Sequence, residues 1–493
     1  MQFISTRGKF ATENAAKAIT KGLSDDGGLF VPQYFPNLAG DLESMLSMDY
    51  AERAATVIGS FLTEYDKEEL LSACKKAYAQ FDEGDAAPVV KIDDGLFVLE
   101  LFHGPTLAFK DIALTLLPYL MRKGADISGV KENILILVAT SGDTGKAALE
   151  GFKNQKGIKI CVFYPSEGVS DMQKMQMCTQ EGDNVNVVGV KGNFDDCQTA
   201  VKKIFTSGEI AAELLSKNVV LSSANSINFG RLVPQISYYF SAYLDLVGSG
   251  EIKLGDKIDF TVPTGNFGNI LAGHYAKKMG LPIGRLVCAS NSNNVLTEFF
   301  QSGTYDADRE FFKTMSPSMD ILISSNLERL IFELTGRNGT LTAKRMEDLK
   351  KFGRYSITEE EKQTVGNEFF ADYCDEEECS EVICDTFENS GYLADPHTAV
   401  ALKAAETYFA QSGYKNKMVV LSTASPYKFS QNVLKSVSGK TVKDPFKAAQ
   451  ALETLSACPI PSQISQLKSK EKRFTQVIDK TETVKTVCEF AAK

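Results

Sequence analysis

The chain has 493 residues, 43% hydrophobic and 24% charged, with a formal charge of −10 at pH 7. That length suits two or three domains, and the composition is that of a folded globular protein, excluding a mainly disordered, collagen-like or coiled-coil chain. An acidic balance of this kind makes a poor ligand for nucleic acid or anionic lipid, while leaving room for a local basic pocket that takes a small anion. Residues 11–84 mix polar and apolar side chains at helical spacing, interrupted at Gly27, Gly28 and Pro32. From about residue 90 the pattern changes. Short apolar runs at 97–102, 134–139, 158–164, 185–190, 219–222, 258–262, 286–289 and 418–421 alternate with amphipathic stretches at 111–122, 145–153, 195–205, 269–279 and 396–411. Buried apolar strands separated by helices predict an α/β fold, with parallel sheets covered on both faces. Residues 303–390 are less regular; the acidic run 375–378 reads as a solvated helix face, and the basic, polar tail after Pro459 as a surface wrap.

The ten cysteines include no CxxC pair, and Cys374, Cys379 and Cys384 are five apart. Helical neighbours are three or four apart, so this spacing does not converge ligands on one face; no metal site is expected, and reduced thiols are. The opening MQFISTRGKF has no apolar signal core, and no apolar stretch approaches the ~18–20 residues that span a bilayer. The expectation is a cytoplasmic enzyme without membrane or nucleic-acid partners.

In parallel sheets, ligands bind beyond the carboxyl ends of the strands, which directs attention to the strand-to-helix turns. The first runs from Leu101 to Asp111 and places Lys110 at a helix start behind an apolar run. Burial and the helix dipole both disfavour an ammonium there and favour a nucleophilic amine. His103 lies in the same turn. The second turn, Thr140-Ser-Gly-Asp-Thr-Gly145, brings hydroxyls and glycines to a helix N-terminus and suits a carboxylate or phosphate. The third, Pro263-Thr-Gly-Asn-Phe-Gly-Asn269, has no acidic residue and lets backbone N–H groups approach an anion. The similar turn 191–196 carries Asp195 and Asp196, which would repel a phosphate, so 265–269 is read as the phosphate loop and 191–196 as structural. Neither turn fits a nucleoside-triphosphate or dinucleotide fingerprint. The fourth, 421–427, can offer a hydroxyl to a bound ring, and 222–231 gathers amides, hydroxyls and Arg231, which suit an anion.

Taken together, HGPTLAFKD (103–111), TSGDTG (140–145), SANSINFGR (223–231), PTGNFGN (263–269), PSMDILISSNLER (317–329) and DPHTAV (395–400) resemble the microbial-type threonine synthases, in that family's order. Residues 5–8 and 27–32 match its opening segment, so the resemblance covers nearly the whole chain. It implies a fold-type II, tryptophan-synthase-β-like enzyme that uses pyridoxal 5'-phosphate. The implied domains are a mainly helical one at 1–90, a large cofactor-binding one at 91–133 and 229–493, and a smaller mobile one at 134–228. The implied reaction is O-phospho-L-homoserine plus water to L-threonine plus phosphate. Lys110 becomes the Schiff-base lysine. Gly265, Asn266, Phe267, Gly268 and Asn269 become the cofactor-phosphate loop. Thr423 matches the position facing the pyridine nitrogen, and Asp143 lies near the ring hydroxyl. Ser141, Thr144, Asn228 and Arg231 match positions that hold substrate anions, and His103 is added to them because it adjoins the lysine motif. One departure stands out: family members often read Thr-Ala-His-Pro-Ala-Lys where this chain has Thr423-Ala-Ser-Pro-Tyr-Lys428, so Ser425 replaces a histidine. A phospholyase that stops at a 2-oxo acid, a serine/threonine dehydratase and a cofactor-free binding protein are the competing readings. The sequence does not decide between monomer and dimer; a monomer is favoured.

Overall fold

The fold is known from a computed structural model, which describes residues 1–8, 12–82, 85–140, 142–166, 169–192, 194–413 and 416–492. Two sheets organise it. The larger has six strands in the order Phe369–Tyr373, Ile283–Ser290, Ile258–Pro263, Lys417–Ser422, Leu96–Glu100 and Val89–Asp93. All its pairings are parallel except the last, where Val89–Asp93 forms an antiparallel edge hairpin with Leu96–Glu100. The smaller has five parallel strands: Val477–Ile478, Val185–Val190, Ile158–Pro165, Asn133–Ala139 and Val219–Ser222.

The apolar runs take the central strands because both faces of those strands are covered. Along Asn133–Ala139, Ile134, Ile136 and Val138 join a core shared with the N-terminal helices, while Leu135, Leu137 and Ala139 join a second one. The larger sheet divides in the same way: Val419 and Leu421 face the shared core, Met418 and Val420 a third. Each buried Ile, Leu or Val contributes about 1.5–3 kcal/mol of transfer free energy.

Three features differ from the sequence expectation. Among the described residues, 1–90 form four α-helices, but they also include a three-stranded antiparallel sheet of Glu13–Asn14, Gln2–Ser5 and Phe30–Pro32. Their helices pack into the same core as both larger sheets, so this segment has no core of its own. Residues 303–390 are regular after all, with helices Leu327–Leu334, Gly339–Phe352, Glu359–Glu368 and Glu376–Ser390. The acidic run is the start of the last of these: Asp375 caps it and Glu378 closes a capping box, which places negative charge at the positive end of the helix dipole. The expected helix 111–122 is two helices, Lys110–Leu114 and Leu117–Ile127, because Pro118 has no N–H to continue the ladder. Among the described residues, no helix is long and apolar enough to cross a membrane, and no group of side chains could hold a metal ion.

Candidate active site

Three of the four turns leave adjacent strands of the larger sheet at the same end. The anion turn follows Ile258–Pro263, the 423–427 turn follows Lys417–Ser422, and the lysine turn follows Leu96–Glu100. The last two are stitched together. Ala108 bridges Ala424, Phe109 N–H donates to Thr423 O (2.9 Å), and Ser425 N–H donates to Leu107 O (3.1 Å). Leu107 sits at φ +60°, uncommon for a branched residue, and the bridge supplies the contacts that hold it there. The Ser425 hydroxyl accepts the Tyr427 N–H and caps the short helix Pro426–Phe429, so the residue that replaces the family histidine performs a local backbone task.

Lys110 is 8% exposed and begins its helix. Its Nζ lies 3.4 Å from Asp143 Oδ2 and 3.3 Å from Ser318 Oγ. Burial lowers its pKa; Asp143 opposes that, while Lys428 and Arg231 add to it. Asp143 opens the helix Asp143–Phe152, after the strand Asn133–Ala139 of the smaller sheet. Its carboxylate takes four donors: Lys428 Nζ (2.6 Å) and Gln173 Nε2 (2.8 Å) on Oδ1, Ser318 Oγ (3.2 Å) and Lys110 on Oδ2. Burial alone would raise its pKa, but Lys428 and Lys110, with the hydrogen bonds from Lys428 and Gln173, outweigh burial and hold it below the usual carboxylate range. The contact therefore joins the two sheet systems through buried charge.

The anion turn is built for close approach. Gly265 has no room for a side chain: a Cβ there would stand 2.7 Å from Ser318 O and 3.1 Å from Ile321 Cδ1. Ser324 Oγ donates to Gly265 O (2.6 Å), and Asn326 N–H and Nδ2 donate to Asn266 O (3.0 and 3.1 Å). Phe267 adopts φ +65° at the start of the helix Gly268–Lys278 and anchors the turn with a buried ring against Phe300 and Phe369. The Asn269 carbonyl oxygens accept from Tyr238 and Tyr239, and its Nδ2 is buried without a partner among the described residues. A buried unpaired donor is costly unless a ligand satisfies it.

The remaining expected residues divide. Thr423 (6% exposed) lies beside the lysine turn. Arg231 is 2% exposed; one Nη1 donates to Ala224 O (2.6 Å) and its Nε has no partner among the described residues. Burial lowers its pKa to about 10, opposed by Tyr238 and Asp111. Thr144 is half-buried on the helix that Asp143 opens. Asn228 is fully buried as a helix cap: its Oδ1 accepts Gly230 N–H, and its Nδ2 donates to Ile19 O and Ser223 O. His103 faces Glu100 (2.8 Å) and stacks on Phe102. Ser141, and Asn193 with the side chain of Asp195 in the rejected turn, lie outside the described residues.

Lys428, Ser318, Gln173 and His397 were not assigned from sequence. His397 Nδ1 meets Asp395 Oδ1 (2.7 Å), and its Nε2 accepts the Ser318 N–H (3.2 Å), which fixes the Ser318 turn over Lys110. Three of the four stand inside segments already singled out, at 317–329, 395–400 and 423–428; Gln173 had no such signal.

Comparison with known proteins assigns residues 2–78 to the threonine synthase N terminus, 87–350 to pyridoxal-phosphate-dependent enzymes and 398–488 to the threonine synthase C-terminal family. Human threonine synthase-like 1 is 41% identical over 90% of this chain, which spans 61% of that relative's length. The threonine synthase of Pseudomonas aeruginosa is 38% identical over 95% of this chain and 97% of its own. The crystal structure of pyridoxal-phosphate-bound threonine synthase from Brucella melitensis aligns over the full length of both chains with a TM-score of 0.88 and 37% identity, and the yeast enzyme with 0.87 and 33% over 99% of this chain and 98% of its own. Pyridoxal phosphate fits the residues present: a buried amine, a cradle that a Cβ would fill and an unpaired Asn269 Nδ2. Family models in order along the chain, relatives matched over nearly their whole length and a site that fits the cofactor make this chain a member of the threonine synthase family of pyridoxal-phosphate-dependent enzymes.

Proposed function

We propose that the protein is a threonine synthase that converts O-phospho-L-homoserine and water to L-threonine and phosphate. The observation that carries this reading is Arg231. It is a buried guanidinium with an unpaired Nε, additional to the anion turn, and a dehydratase has no need of a second anion site. Gly265–Asn269 would hold the cofactor phosphate, Thr423 the ring nitrogen and Asp143 the neighbourhood of the ring hydroxyl. When bound, pyridoxal phosphate supplies the electron sink for charge developing on the substrate's carbon chain. Thr423 would offer the ring nitrogen a neutral hydroxyl, which would leave it largely unprotonated and the sink moderate rather than maximal. Lys110 Nζ, its pKa lowered by burial, would be the base that removes the α-proton and then a β-proton. Arg231 holds the leaving phosphate, and Thr144 and Ser141 contribute hydroxyls to the substrate's anionic groups. The Ser318 turn, held by His397 and packed on Gly265, limits water to the molecule that reacts.

Residues 134–228 act as the smaller, mobile unit in this reading, closing through Asp143. A cytoplasmic location belongs to the same proposal, supported by ten cysteines that are all free thiols. A monomer is part of the same proposal.

The test is to assay phosphate and threonine together on the purified protein with O-phospho-L-homoserine. Equal amounts of both are expected. Phosphate with 2-oxobutyrate and no threonine would make the protein a phospholyase, and neither product with cofactor bound would mean a different substrate.

A further inference from the structure

We propose that Lys428 is a positioning residue that decides which amine in the site keeps its proton: it holds Asp143 as a permanent ion-pair partner and leaves Lys110 as the amine that gives its proton up. The inference deepens the proposed reaction and rests on Lys110 being the cofactor lysine.

One carboxylate stands between two primary amines, and the two contacts are unequal. Lys428 Nζ lies 2.6 Å from Asp143 Oδ1 and donates to Thr106 O (3.1 Å), an acceptor that rewards an ammonium. Its side chain is fully buried and has no other solvation to fall back on. Lys110 Nζ is 3.4 Å from Oδ2, and its second neighbour is the Ser318 hydroxyl (3.3 Å), which serves a neutral amine as well as a charged one. Gln173 and Ser318 complete the carboxylate, so Asp143 does not need Lys110 as a donor. Further charges in the field are Arg231, which disfavours an ammonium at Lys110, and Asp111, which lies in the field of Lys428. Two like charges on one buried carboxylate repel, and the amine with the longer contact is the one that loses its proton. A neutral Lys110 is the nucleophile that cofactor attachment needs.

The experiment measures the pH dependence of Lys110 acetylation by acetic anhydride in the cofactor-free full chain, read by peptide mass spectrometry. In Lys428→Met, Lys110 becomes the sole cation on Asp143. Its midpoint should rise by about one pH unit or more, which is about tenfold slower labelling below the midpoint. Lys428→Arg keeps the charge and should stay near the wild-type midpoint. The apparent affinity for pyridoxal phosphate at neutral pH should fall in Lys428→Met and recover as pH is raised. An unchanged midpoint in a folded Lys428→Met protein, or an arginine variant that behaves like the methionine one, would overturn the proposal. Should Lys428→Met fail to fold, Lys428→Gln, which keeps an N–H toward Asp143 and Thr106, decides on the same midpoint. Labelling uses neither substrate nor product, so failure of the threonine assay leaves this measurement intact.

Discussion

At the scale of the residue, the site is a set of buried polar groups of which some are satisfied and some are waiting. Arg231 has one guanidinium nitrogen on Ala224 O and an Nε with no partner among the described residues. Hydrogen bonds to charged groups contribute about 1.5–3 kcal/mol. Arg231→Ala should therefore raise KM for O-phospho-L-homoserine by about tenfold to a hundredfold, with a smaller change in kcat if the contact is equal in ground and transition states. Arg231→Lys keeps charge but loses the planar fork and should fall between the two. Steady-state kinetics decide, and an unchanged KM removes Arg231 from the anion site. Lys110 and Arg231 stand out as candidates by residue type in their turns, and the family resemblance adds Asp143 and Thr423. Asn228 looked the same on paper, but a buried Asn before a helix has its own donors to satisfy, and this one caps. Lys428 was invisible for the converse reason. A lysine immediately after a hydroxyl turn has no local mark, and only the approach of Asp143, 285 positions away, makes it a partner.

At the scale of the element, the decisive object is the contact between the anion turn and the segment 316–326. The turn's geometry belongs as much to its partner as to itself, since Gly265 is excluded from carrying a side chain by Ser318 O and Ile321. Gly265→Ala should push that segment away and take with it the Ser318 hydroxyl and the donors from Ser324 and Asn326. We expect at least about a tenfold loss of pyridoxal-phosphate affinity, at a stability cost of about 1–3 kcal/mol for a strained small-to-large change. A spectroscopic cofactor titration beside a thermal melt separates the two, and wild-type affinity would mean that the segment yields freely. Strands and helices with strong periodicity were read correctly to within a few residues. Among the strands of the larger sheet, those missed, Val89–Asp93 and Phe369–Tyr373, are its two edges, with part-exposed residues and no continuous apolar run to mark them.

At the scale of the whole molecule, the C-terminal tail is the part that sequence described least well and that the fold uses most. Its first portion is anchored on the larger sheet's core through Ile464 and Leu467. It then crosses to the smaller unit: Arg473 donates to Gln180 O and Gly182 O, Val477–Ile478 extends the small sheet beside Val185–Val190, and Val487, Phe490 and Ala491 enter its core. The boundary expected at 229–493 for the larger domain is therefore crossed by about the last twenty residues, whose pairing depends on a strand nearly 300 positions earlier. Polar, basic composition gives no hint of this, because a two-residue strand and one amphipathic helix carry too little apolar sequence to stand out. Truncation after Ser469 removes Ile478, Val487 and Phe490 and uncovers the edge of Val185–Val190. At about 1.5–3 kcal/mol per large apolar side chain, the loss falls on the smaller unit alone. Hydrogen exchange should accelerate across residues 185–190 while 258–263 and 417–422 stay protected, and calorimetry should resolve a transition at lower temperature than in the full chain. Uniform loss of protection across both sheets would instead mean that the two unfold as one cooperative body, with the tail as one of its seams.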